Sequence, residues 1–187
     1  MVTSLDKNTA LVLIDLQKGI LAYAGSHPVQ DVLNNSAKLL AAFRKANLPI
    51  VIVNVNPGNA KWTSARKDAK QGGGTFDEEL LKIIPEIKTE PTDIFITKHT
   101  WSAFYETAIH DELQKRSVTG IVICGISTSA GVEGTSRAAA ERGYNITFAL
   151  DAMTDTNIEA HANTLKNIFP RLGEVDTTDK IIEVLVG

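Results

Sequence analysis

Short unbroken apolar runs alternate along this chain with stretches whose apolar residues recur every three or four positions. Residues 10–14 (Ala-Leu-Val-Leu-Ile) are apolar throughout and stop at Asp15. Residues 49–53 repeat the pattern, 93–97, 120–124 and 145–150 read as further strands, and Glu174-Val175 offers a short sixth. Runs apolar on both sides are what a parallel sheet covered on both faces demands. Between them, 29–46 carries Leu33, Leu39, Leu40 and Phe43 at helical spacing. The segments 76–84, 104–115, 130–142, 159–168 and 179–185 also read as helices, with Gly143 as a C-cap after the alanine-rich one. The polar stretch 54–75, with its run Gly72-Gly73-Gly74, reads as a long loop. Strands alternating with helices predict an α/β fold, a three-layer sandwich built on a mostly parallel sheet. With no linker or repeat to divide it, 1–187 reads as one domain.

In open α/β sheets, ligands bind beyond the carboxyl ends of the strands. Asp15, Lys98, the turn 125–131 and Asp151 all fall at such ends. Asp15 follows five apolar residues, so its carboxylate is expected to be desolvated, which raises a carboxyl pKa and suits a general acid or base. It reads equally as a strand-end carboxylate capping the next turn. Lys98 is either a surface lysine or the charge that pairs with Asp15 and holds a substrate carboxylate. The turn after the fourth strand presents backbone N–H groups at a helix N-terminus, suited to an anion. Gly131 leaves room there for a ligand, or serves tight strand–helix packing. Ser127, Thr128 and Ser129 put hydroxyls nearby, as helix caps or as a substitute nucleophile. Cys124 reads as a small buried apolar residue.

Composition narrows the chemistry. A net charge of -3 argues against general nucleic-acid binding. One cysteine makes no internal disulfide, which fits a reducing cytoplasm. Residues 1–7 carry no signal-peptide core, and no apolar run is long enough to span a bilayer. His27, His99, His110 and His161 make no pair with metal spacing, so no metal and no cofactor are expected. His110 and His161 read as solvent-facing on their helices. The basic loop, with Lys61, Trp62, Arg66, Lys67 and Lys70, is either solvated or a lid over an anionic substrate.

Three separated segments resemble the isochorismatase-like (cysteine hydrolase) family. They are Leu13-Ile14-Asp15-Leu16-Gln17, Lys98-His99-Thr100-Trp101-Ser102-Ala103-Phe104, and Gly125-Ile126-Ser127-Thr128 with Val132 and Gly143-Tyr144. Asp151-Ala152-Met153-Thr154-Asp155 is similar to the family's post-strand segment. The resemblance implies a Rossmann-like sheet of order 3-2-1-4-5-6 and a homodimer or higher homo-oligomer. Where most members carry the nucleophilic cysteine, this chain has Gly131. Nicotinamidases carry an Asp-x-His metal motif after the second strand; here the residues are Asn54-Val55-Asn56. True isochorismatases also have glycine at the cysteine position, and cleave a vinyl ether without a covalent intermediate. That likeness implies a hydrolase of a small organic substrate that releases pyruvate. Asp15 would be its general acid, with Lys98 and Gly131 completing the catalytic set. Ser127, Thr128, Trp101, Phe104 and Arg66 would form the substrate-binding set. The competing readings are a binding protein that kept the pocket and lost the reaction, and an amidase with a substitute nucleophile.

Overall fold

The computed structural model describes residues 1–22, 28–58, 60–61, 65–68 and 77–187. Six strands, β1 (Thr9–Ile14), β2 (Ile50–Val55), β3 (Ile94–Lys98), β4 (Gly120–Ile126), β5 (Asn145–Thr154) and β6 (Glu174–Asp176), form one sheet. Its order is β3-β2-β1-β4-β5-β6, and every pairing between these strands is parallel. The order reverses between β1 and β4, so the crevice beyond their carboxyl ends is the expected ligand site of such a sheet.

Alternation along β1 sorts the core into two layers. Ala10, Val12 and Ile14 face a cluster with Val51, Val53, Ile121, Ile123, Phe148 and Phe169. Helix α4 (Ile109–Gln114) and helix α5 (Glu133–Ala140) cover this side through Ile109, Leu113 and Ala139. Leu11 and Leu13 point the other way, to Ile50, Ile52, Val122 and Cys124. There α2 (Val29–Lys45) lays down Leu33, Leu39, Leu40 and Phe43, and α7 (Thr178–Val186) adds Ile181. Every residue of β1 and β4 is buried, which explains their unbroken apolar reading.

The differences from the expected elements have local causes. The helix expected over 104–115 is confined to Ile109–Gln114, because Glu106 takes a positive φ of 53° and the Thr107 hydroxyl donates to the Ala103 carbonyl. The helix expected over 76–84 is described only as α3 (Glu78–Leu81), capped by Asp77 accepting from Glu79 N–H; Phe76 lies outside the described residues. A one-turn helix, α1 (Lys18–Leu21), packs beside it. The helix expected from 130 begins as a π-helical turn at Thr128–Val132 before α5. Helix α6 (Ile158–Asn163) likewise passes into a π turn at Thr164–Ile168. β4 and β5 run further than the apolar runs, to Ile126 and Thr154. No described helix is long and apolar enough to cross a membrane.

Candidate active site

Asp15 ends β1 in the left-handed region, φ 50°, a conformation few non-glycine residues adopt. Its N–H still donates to Val53 O at 3.0 Å. Gln17 then clasps the neighbouring strand end: its Oε1 accepts from Val55 N–H at 2.7 Å. Its Nε2 donates to Val55 O (3.1 Å) and Leu81 O (2.8 Å). Lys98 closes β3, and its carbonyl accepts from Asn56 N–H at 2.9 Å. The mouths of β1, β2 and β3 are therefore laced together.

Across that mouth Lys98 Nζ lies 2.6 Å from Asp15 Oδ2, with both side chains buried. The ammonium also donates to Thr100 O at 3.0 Å. Asp15 Oδ1 is buried and has no hydrogen-bond partner among the described residues. Burial pushes the carboxyl up to about 6, against the downward pull of the Lys98 charge and hydrogen bond. Desolvation thus outweighs the ion pair. A carboxyl titrating near neutrality can both release and recover a proton at physiological pH.

Gly131 forms the third side. A Cβ built there would sit 3.2 Å from Asp15 Oδ2 and 3.0 Å from Ile14 Cγ2. Those contacts are tighter than ordinary packing, so glycine leaves open the space nearest the carboxylate. The approach of β4 to β1 needs a second glycine. Gly125 has φ 119°, and a Cβ there would fall 2.1 Å from Ile14 O. The Ile126–Ser127 peptide that follows is cis.

Asp15, Lys98 and Gly131, read from the sequence as one set, meet at this point. The substrate-binding set is more dispersed. Ser127 is half-buried, and its carbonyl accepts from Ala130 and Val132 N–H. Thr128 is fully buried in a polar contact described below. Trp101 is 56% exposed, with its Cβ lying 3.2 Å from the Cβ position of Gly134 on α5. Phe104 is a core residue: it packs against Tyr144 and His110, with Arg142 5.1 Å above its ring. Its ring belongs to the core cluster on the side of the sheet that α4 and α5 cover. Arg66 is exposed in the loop after β2; Trp62, Lys70, the glycine run and His27 lie outside the described residues.

Asp151 is not at the mouth. The β4–β5 pairing runs Ile123↔Phe148 and then Ile126↔Thr154, a register shift that inserts three residues into β5. The shift retires Asp151 to cap α7, where Oδ1 accepts from Thr178 N–H and Oγ1, each at 2.8 Å. It brings Thr154 and Asp155 to the turn in its place. Asp155 Oδ2 accepts from Ser129 N–H (2.7 Å) and Oγ (2.8 Å). Thr128 Oγ1 lies 3.1 Å from Thr154 O and 2.8 Å from His161 Nδ1.

His161, expected to face solvent, is 5% exposed. His110 is likewise only partly exposed, with Nδ1 3.0 Å from the Tyr144 hydroxyl. The sequence signal for His161 was its place in the row His161, Thr164, Leu165, Ile168, which has the spacing of an inward helix face. His161 also borders a cleft of about 580 Å3 between α2 and the end of β5, whose lining does not include Asp15, Lys98 or Gly131.

Cys124 is fully buried on β4, and burial pushes its thiol up to about 12. The thiolate needed for nucleophilic attack is thus absent at neutral pH. Among the described residues no group of three or more His, Cys, Asp or Glu is arranged to hold a metal ion.

Residues 9–180 match the model of the isochorismatase domain family. The isochorismatase family protein YecD of Escherichia coli O157:H7 is 38% identical over 183 residues, covering 96% of this chain and 97% of that protein. Nicotinamidase 3 of Arabidopsis thaliana is 28% identical over 185 residues, covering 97% of this chain and 90% of that protein. Among solved structures, an isochorismatase family protein from Burkholderia thailandensis superimposes with a TM-score of 0.94 at 34% identity, each chain being covered in full.

Proposed function

The chain belongs to the isochorismatase family of hydrolases, and on that premise we propose that it hydrolyses the vinyl ether of a small organic acid, with Asp15 as general acid. The observation that carries the reading is the Asp15 carboxyl: buried, titrating near 6, held by Lys98, and facing the space that Gly131 leaves open. Vinyl-ether hydrolysis needs a carboxylic acid able to protonate carbon and needs no nucleophile on the protein.

In the proposed sequence the protonated Asp15 gives its proton to the terminal alkene carbon, whose π electrons form the new C–H bond. The ether oxygen shares the resulting positive charge as an oxocarbenium ion. The Asp15 carboxylate, now negative, stabilises that cation at close range and then takes a proton from the attacking water. The hemiketal collapses: its hydroxyl proton leaves, C=O forms, and the C–O bond to the alcohol breaks with the alcohol oxygen taking a proton. Pyruvate and the alcohol depart, and Asp15 is protonated again. Lys98 holds the carboxyl in place, and an ammonium with three donors has capacity for a substrate oxygen beyond Asp15 and Thr100.

The inert Cys124 thiol supports this reading over amide hydrolysis through a thioester. The test is pyruvate release from isochorismate, wild type beside Asp15→Asn. Release by the wild type and none by the variant, at matched circular dichroism, is the expected result. Equal rates in the two would remove Asp15 from the chemistry. Silence in both, with isochorismate bound intact in a calorimetric titration, would make the protein a binder of this ligand.

A further inference from the structure

The Ser127–Gly131 turn is anchored by groups that come from a different part of the chain. Thr128 Oγ1 meets Thr154 O at 3.1 Å and His161 Nδ1 at 2.8 Å, and all three residues are buried. One residue on, Ser129 is held through both its N–H and its hydroxyl by Asp155 Oδ2. Asp155 Oδ1 in turn accepts from Asn157 N–H at 3.1 Å, which ties the carboxylate to the start of α6. The anchors come from the last residue of β5 and the segment beyond it, while the turn follows β4.

The protons in this cluster are determined by counting. A threonine hydroxyl has one proton, and a carbonyl only accepts. For both contacts of Thr128 to be hydrogen bonds, its proton goes to Thr154 O and the imidazole donates to Oγ1. The reverse assignment leaves Thr128 Oγ1 and Thr154 O facing each other as two buried acceptors, which interiors avoid. The count favours a proton on Nδ1, with the imidazole as donor to Thr128. An imidazole donating to Thr128 cannot also withdraw its proton, so this pair is not a nucleophile with its base.

We infer that His161 is a positioning residue: through an Nδ1–H hydrogen bond to Thr128, and alongside the Asp155 clamp on Ser129, it holds the turn so that Gly131 stays against the Asp15–Lys98 pair. Gly131 lies three residues beyond Thr128, and its Cβ position is 3.2 Å from Asp15 Oδ2. Release of the turn lets water reach the carboxyl that Lys98 faces, the one charge beside it among the described residues. The inference rests on the reading of that pair as the active site, but its central test uses no substrate.

The test is NMR on the folded protein. Nitrogen-15 spectra of the neutral imidazole report its tautomer, and the carbon-13 carboxyl shift of Asp15 reports its titration. Four variants are compared. His161→Asn keeps an N–H donor near the Nδ1 position and His161→Leu has none; Thr128→Ser keeps the hydroxyl and the isosteric Thr128→Val removes it. The expected result is an Nδ1–H tautomer in the wild type. The Asp15 midpoint should stay near its wild-type value in His161→Asn and Thr128→Ser. It should fall by about one unit, as hydration relieves desolvation, in His161→Leu and Thr128→Val. With a turned-over substrate, the last two should lose about tenfold or more in kcat with little change in KM, as a misplaced turn would. An Nε2–H tautomer, or an unchanged Asp15 midpoint in folded Thr128→Val, overturns the inference, even where thermal stability has dropped. Absence of turnover in every protein would count against the proposed reaction and leave these spectra to decide the role of His161.

Discussion

Replacing Lys98 by methionine removes the one charge among the described residues that pulls the Asp15 carboxyl down and leaves its burial in place. The ammonium sits 2.6 Å from Oδ2. At an effective dielectric of about 20, that separation corresponds to roughly 6 kcal/mol of attraction, an upper figure because water and side chains relax. Half of it would still raise the carboxyl by about two units. The wild-type midpoint of about 6 should therefore move to about 8 or higher in Lys98→Met.

The stability consequence has a definite sign. The folded carboxyl holds its proton above the ordinary aspartate value of 3.8, so the folded state binds more protons than the unfolded one wherever the unfolded carboxyl has ionised. Stability is then full below about pH 4 and falls as pH rises towards the folded midpoint, by about 1.4 kcal/mol per pH unit. The wild type should lose about 3 kcal/mol from this group between about pH 4 and pH 6 and little beyond. Lys98→Met should go on losing stability up to about pH 8. Urea unfolding at a series of pH values measures the slope, and the carbon-13 shift of Asp15, assigned with Asp15→Asn, measures the midpoint. A midpoint in Lys98→Met at or below the wild-type value would refute the claim that Lys98 holds this carboxyl down against its burial.

Three further outcomes follow from the same coordinates. Gly125→Ala should fail to give folded protein, read by circular dichroism, because its Cβ would lie 2.1 Å from Ile14 O at φ 119°. Phe43→Ala, at a fully buried ring under α2, should cost about 3–5 kcal/mol in urea unfolding with the same strand order retained. The thiol of Cys124 should resist a disulfide exchange reagent in native protein at pH 8 and react with one equivalent in denaturant, since it is buried and its pKa is about 12.

The apolar runs were enough to read β1, β2 and β4 and the two-faced sheet, because a strand buried on both sides leaves an unbroken mark of its own; β3, exposed at Phe95 and Thr97, and the half-buried β6 leave a weaker one. Asp15 and Lys98 were legible for a related reason: polar residues at the end of an apolar run must sit at the sheet's edge. Gly131 was legible as the residue that leaves room in the turn after the fourth strand. Phe104, read as substrate-binding, is also a core residue, and an aromatic near a site and one in the core are written with the same letter. Its packing partners Tyr144 and Arg142 lie some forty residues away along the chain.

His161 and Asp155 show what linear order hides. A register shift in β5 exchanges Asp151 for Thr154 and Asp155 at the turn, and nothing local in the sequence marks the three inserted residues. What the sequence by itself determined was the alternation of elements, the covered sheet, and which residue types stand at its carboxyl edge. These depend on burial and spacing within single segments. The tertiary structure alone decided that the Asp15 carboxyl, expected from the apolar run to be raised, stays near 6 with Lys98 2.6 Å away, and that a histidine four helical positions from Asn157 braces a turn thirty-three residues earlier. Both depend on distances between segments, and burial free energies and hydrogen bonds are set by such distances.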